Sequence, residues 1–252
     1  MAKQESIITL NGAIDNISFF KTKDGYNARK KTGVSADVIA NDSRFARTRE
    51  NMAEFKRAAK ASKLLRDALL ESTVGSKDRK MVPRLTKAMM KVLLADQTSE
   101  RGKRNVIDGE AELLQGFEFN IYGTLSTTLL APLTPTIDRA TGSCKVVLPP
   151  YNAEKMIKKA EGATHYRFGI TAASIDFEAD TKETVSTFSG YQLVDIEMTP
   201  LLELEAMLTP NSTHPIFLVL TIEFVQETNG RKYSLNAGDF NACAMVKVEG
   251  GV

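Results

Sequence analysis

Tryptophan is absent from this chain, and cysteine and histidine occur only twice each. Without Trp, the buried indole of antibody-type sandwiches is excluded. Cys144 and Cys243 belong to no CxxC unit, which removes zinc ribbons and thioredoxin-type redox chemistry. Both fall inside predicted strands, so free buried thiols are expected in preference to a disulfide. His165 and His214 each stand near the start of a predicted strand. A metal site would need them to converge with a carboxylate such as Asp176 or Glu178, and no spacing in the sequence forces that. They are therefore expected as strand-end surface residues, and no metal or cofactor is expected. Glycine-rich phosphate loops are lacking too: Val74-Gly75-Ser76-Lys77 has neither the spacing nor the preceding strand. No nucleophile elbow or kinase signature occurs. Glu203 and Glu205 share one strand face, as on any solvated sandwich. The chain is accordingly not expected to be an enzyme.

No apolar run reaches the length of a membrane span, and residues 1–6 do not lead into the apolar core of a secretory signal. These absences predict no membrane insertion and a cytoplasmic location, with non-classical export or release as an assembled particle left open. No fixed-period repeat or low-complexity segment is present.

What the chain does have is an uneven charge distribution. The net charge is only +2. Residues 1–105 carry 23 Lys and Arg against 12 Asp and Glu, whereas residues 106–252 carry 10 against 19, so the two portions stand at +11 and −9. Such asymmetry fits a polyanion partner, head-to-tail contact between copies, or neutralisation within one molecule.

Residues 6 to 31 read as a β-hairpin or short meander, with Ile8, Leu10, Ile14 and Ile17 leading into Phe19 and Phe20, a turn at Lys23-Asp24-Gly25, and a return strand from Tyr26 to Arg29. Gly12 marks a bulge or a close backbone approach. A two-stranded piece is barely stable alone, so it must join a sheet in its own molecule or in a neighbour.

After a polar connection, Asn41-Asp42-Ser43 supplies capping oxygens for a helix whose stripe runs Phe45, Thr48, Met52, Phe55, Ala59, Ser62 and Leu69. Ser72-Thr73-Val74-Gly75 stops it. A second helix is predicted from Asp78 to Asp96, with Pro83 in its first turn and a stripe of Val82, Leu85, Met89, Val92 and Leu93. The short link predicts an antiparallel helical hairpin packed on a sheet.

Gly116 to Asn120 alternates as a short strand, and Asp108-Gly109 is a turn signal. From about Thr124, seven strand-like runs follow: Ser126 to Asp138, Cys144 to Leu148, Thr164 to Glu178, Tyr191 to Met198, Leu201 to Leu208, Pro215 to Glu227 and Ala242 to Val248. Turn signals separate them, Asn229-Gly230 and Ala237-Gly238 included. In the central run, Ile216, Leu218, Leu220, Ile222 and Phe224 make one face. The other changes from Phe217 and Val219 to Thr221 and Glu223 and is expected to be wetter.

The predicted fold is α+β: an N-terminal β-hairpin plus an antiparallel helical hairpin over residues 1–120, then an immunoglobulin-like antiparallel β-sandwich over residues 121–252.

Asn11-Gly12-Ala13-Ile14, Phe19-Phe20-Lys21, Asp24-Gly25-Tyr26 and Arg29, the run Arg44 to Asn51, Glu54-Phe55, Lys63 to Arg66, Arg84 to Lys87 and Gly116 to Asn120 together resemble an uncharacterised bacterial family of hypothetical proteins. The likeness extends through the β-rich part, including Asn211 to Pro215. It implies a recurring hairpin–helices–sandwich layout and no activity.

The function expected is a non-enzymatic structural protein that self-assembles into a filament, tube or particle. Ile14, Ile17, Phe19 and Phe20 are the candidates for strand docking, and Arg47, Arg57 and Lys60 for charge matching. The competing readings are nucleic-acid binding or packaging by the basic helices, and closure of both features within one monomer.

Overall fold

The computed structural model describes residues 2–5, 8–30, 33–107, 109–235, 238 and 240–251. The turn signals at Asp108 and Ala237 lie outside these. The architecture is α+β with antiparallel sheets, in two compact units, Met1–Arg49 and Glu50–Val252.

In the first unit, strands β1 (Ala2–Lys3), β2 (Gly12–Ile14), β3 (Ile17–Thr22) and β4 (Gly25–Lys30) form a four-stranded sheet in the order β1-β4-β3-β2. Asp15, at φ +50°, and Asn16 turn β2 into β3, so that Ile14 pairs directly with Ile17. Lys23-Asp24 turns β3 into β4, with Gly25 at φ +113°. Helix α1 (Ala36–Asn41), capped by Ser35, occupies what the sequence gives as a polar connection. Asp42 then accepts from the Arg44 N–H (2.9 Å) and opens the 3₁₀ turn Ser43–Phe45 that leads into α2 (Ala46–Ala68). No described apolar residue of this unit is buried. Polar clasps hold it instead: the Gln4 side chain accepts from Leu10 N (2.9 Å) and donates to the Asn27 carbonyl (3.1 Å), and Asn27, the one buried residue among those described, donates to Thr22 Oγ1.

The second unit is built in three layers. Its helices are the rest of α2, α3 (Leu70–Thr73), α4 (Met81–Leu94) and two single turns, α5 (Leu125–Thr128), where the sequence predicts the start of a strand, and α6 (Ala153–Met156). Its strands are β5 (Thr134–Asp138), β6 (Ser143–Leu148), β7 (His165–Asp176), β8 (Thr181–Phe188), β9 (Gln192–Leu193), β10 (Leu202–Met207), β11 (Ile216–Thr228), β12 (Arg231–Ser234) and β13 (Ala242–Glu249). The β5, β6 and β10 strands make an outer sheet in the order β10-β6-β5. The central sheet runs β8-β7-β11-β13, with β12 continuing alongside β11 and β9 alongside β7.

Alternation along the central strands explains the layering. Ile216, Leu218, Leu220, Ile222 and Phe224 face the outer sheet and share a core with Val146, Leu148 and Leu204. Phe217 and Val219 face the other way, with Ala173, Ile175, Cys243 and Met245, into a second core closed by Ala58, Leu65, Leu85, Met89 and Val92 of the helices. The expectation of a wet second face is thereby corrected. Thr221 is buried on it, and a Ser72–Thr171–Ser186 hydroxyl chain lies under α3. Glu223, past the middle of β11, is half-buried and pairs with Arg167 at 2.6 Å.

Helix α4 keeps its expected stripe except at Val82, which is exposed, and Thr86 Oγ1 donates to Ser62 Oγ of α2. On α2 the inward face is Glu54, Ala58, Ala61, Ser62, Leu65 and Ala68. Met52 and Phe55, placed on the core stripe by periodicity, are 60% and 56% exposed. Alanines win the inward face because a helix lying close on a sheet leaves room for short side chains. Residues 116–119 pair with β13, as their alternation predicts, and Phe119 is fully buried. Cys144 lies in the first core and Cys243 in the second, both free; burial pushes their thiols up to about 11 and about 12.

Buried carboxylates fix the loop after α4. Asp96 accepts from Thr98, Ser99 and Asn105 N–H groups at 2.8, 2.9 and 3.1 Å. Burial alone would raise its carboxyl, but hydrogen bonds from Ser99, Asn105 and Thr98 outweigh it and hold the group far below the usual range. A depressed carboxylate stabilises the fold above its unfolded value and loses that contribution as pH falls through the folded one. Asp96→Asn is therefore expected to destabilise by about 1–3 kcal/mol at pH 7. Urea midpoints of variant and wild type should converge as pH drops below about 4.

Candidate assembly surfaces

Cross-strand partners share a sheet face, which sorts the N-terminal candidates. Ile14, Ile17 and Phe19 lie on one face with Ala2, Ala28 and Lys30; Phe20 lies on the other, with the Arg29 guanidinium 5.5 Å from its ring centre. Ile14 and Ile17 are 59% and 44% exposed, while Phe19 and Phe20 are half-buried. Beside Ile17 an open concavity of about 510 Å³ is lined by Ala2, Asn16, Ala28 and Lys30. Beyond this face, Ile8 and Leu10 are also exposed. Among the described residues the short strand β2 ends the sheet, so one row of its backbone groups has no described strand beside it.

Of the charge-matching candidates, Arg47 stands exposed in the first turn of α2. Arg57 is turned inward, donating to the carbonyls of Arg104 (2.7 Å) and Gly102, and Glu54 accepts from Gly102 N and pairs with Arg104 at 3.0 Å. Lys60 pairs with Asp180 of the β7–β8 turn. Part of the charge asymmetry is thus used inside the second unit, at Lys60, and Arg57 is a structural brace for the 102–104 loop.

The two histidines are separated by the length of β7, on the order of 35 Å. His165 lies 3.6 Å from Glu227, and His214 lies 3.8 Å from Asp176. Among the described residues, no three His, Cys, Asp or Glu side chains are gathered as metal ligands. A polar groove of about 450 Å³ runs past His214, Asp176, Glu183 and Thr209. Its carboxylates already have structural roles: Asp176 accepts from Ala179 and Glu178 N–H groups, bonds that lower its pKa along with His214 nearby, and Glu183 accepts from Thr209 N and Oγ1.

Two features escape the sequence reading. The Asp15-Asn16 turn, which brings Ile14 opposite Ile17, was signalled only by a polar pair between isoleucines. The outward stripe of α2 has the periodicity of a core face, and nothing local marks it as exposed.

Comparison of the chain with protein-family models, curated proteins and solved structures gives no match. No described helix is long and apolar enough to cross a membrane.

Proposed function

We propose that this is a non-enzymatic structural protein whose copies assemble into an ordered homopolymer, with the N-terminal sheet as a principal contact. One observation carries the reading: a four-stranded sheet presents Ile14 and Ile17 to solvent, contributes no described apolar residue to any core, and ends in the open strand β2. Sheets of this size need a buried face for stability, and a neighbouring copy that adds to β2 or covers the Ile14–Ile17 face supplies one. The charge asymmetry supports a heterologous contact, because surfaces of opposite sign on one molecule attract copies head to tail.

In this reading the paired sheets of the second unit form an immunoglobulin-like sandwich, supported by antiparallel pairing throughout and a shared core. A cytoplasmic site of assembly is supported by two unbonded cysteines. The likeness to an uncharacterised bacterial family belongs to the same proposal.

Nucleic-acid packaging by the basic helices is the second reading, favoured by the exposed Lys56, Lys63, Lys87 and Lys91. Sedimentation of nuclease-treated protein separates the two. Assembly should persist without nucleic acid. Sedimentation that requires added nucleic acid and falls steeply with salt would replace assembly by packaging.

A further inference from the structure

The second unit has two outer faces of opposite charge on opposite sides of its three layers. On the helical side, residues 50–96 carry 11 Lys and Arg against 6 Asp and Glu, and three of those acids, Glu54, Asp78 and Asp96, are buried. Glu54 and Asp78 are ion-paired to Arg104 and Arg84. The helix surface is therefore more basic than its composition. At 100° per residue, Met52, Ala59 and the exposed Lys56 and Lys63 lie on the side of α2 away from Ala61 and Leu65, with exposed Asp67 among the lysines and half-exposed Phe55 at the edge of this side, one turn from Ala58.

On the far side, register fixes the outer face of the three-stranded sheet as three rows: Thr134, Val147 and Glu203; Thr136, Lys145 and Glu205; Asp138, Ser143 and Met207. Leu201 continues the β10 row and is exposed, as is Met207. Three carboxylates stand against one cation, Lys145, which bridges Glu203 (3.1 Å) and Glu205 (3.5 Å). Apolar atoms at Leu201, Val147 and Met207 border the acids, as Met52 and Phe55 border the lysines.

We infer that the outward face of α2 in one copy docks on the outer face of the β5–β6–β10 sheet in the next. The occupant follows from charge. A two-fold contact would set Lys56 and Lys63 against their own copies, or Glu203 and Glu205 against theirs, and like charges brought together oppose association. Joining one face to the other matches sign and gives Phe55 and Met52 an apolar seat. Because the faces lie on opposite sides of the same layers, the contact is heterologous and repeats from copy to copy, giving an open polymer when its rotation does not close a ring. The inference rests on the proposed self-assembly and names its second contact.

Reciprocal charge reversal in full-length protein tests it. Lys56→Glu with Lys63→Glu, and separately Glu203→Lys with Glu205→Lys, should each raise the concentration needed for assembly at least about tenfold. Circular dichroism should show wild-type folding, since all four positions are exposed. An equimolar mixture of the two variants should assemble again, because the reversed faces complement one another. Wild-type assembly by both variants would overturn the inference and leave N-terminal assembly standing. Loss in both with no rescue on mixing would overturn it as well. If only the helix reversal matters, and the wild-type particle disappears on nuclease treatment, the helix face binds polyanion and the inference is wrong. A wild-type protein that stays monomeric removes the proposed function itself.

Discussion

Phe217→Ala is expected to destabilise the second unit by about 3–5 kcal/mol, the range for emptying a fully buried aromatic site. Phe217 is 0% exposed on the helix-facing side of β11 and meets the Phe177 ring edge-on at 6.2 Å. Truncation leaves a void between two layers that strand pairing and helix packing keep from collapsing. The same change at Phe55 should move stability by no more than about 0.5 kcal/mol, because its ring already stands in water. Denaturant midpoints of the two variants, measured side by side, decide whether the Phe217 face of the central sheet is covered and whether the Phe55 side of α2 is turned away from it. Comparable losses at both positions would contradict the layering.

The second large effect is expected on association. Ile14→Lys with Ile17→Lys places two cations on directly opposed residues of β2 and β3. Burying an isoleucine side chain in a contact is worth about 1.5–3 kcal/mol. Losing two such burials alone weakens a contact by at least about a hundredfold. Neither side chain is buried in the chain itself, so thermal unfolding of the second unit should be unchanged. An unaltered assembly profile would show that this face is not a contact.

Much of the fold was legible because its signals are local. Lys23-Asp24-Gly25 and Asn229-Gly230 turn where their chemistry demands, Asn229 and Gly230 both at positive φ. The α4 stripe follows from periodicity, Val82 excepted. What escaped depends on neighbours distant in sequence. Periodicity gave α2 one stripe, through Met52 and Phe55, and only contact with β7 and β11 shows that Ala58, Ala61 and Leu65 turn inward. The β8 strand, with Lys182 and Glu183 between threonines, carries no apolar run and forms because β7 offers its edge. Of the candidate site, the four N-terminal apolar residues could be named from sequence, but not the turn that pairs Ile14 with Ile17. Arg57 looked like a surface cation because its carbonyl partners lie 45 and 47 residues away.

The most direct test is light scattering with negative-stain microscopy on nuclease-treated full-length protein over a range of concentrations, beside the Ile14→Lys, Ile17→Lys variant and a form lacking residues 1–31. The account predicts a mass that grows with concentration and ordered particles for the full chain, both lost in the other two. A monomer at every concentration in all three would contradict it.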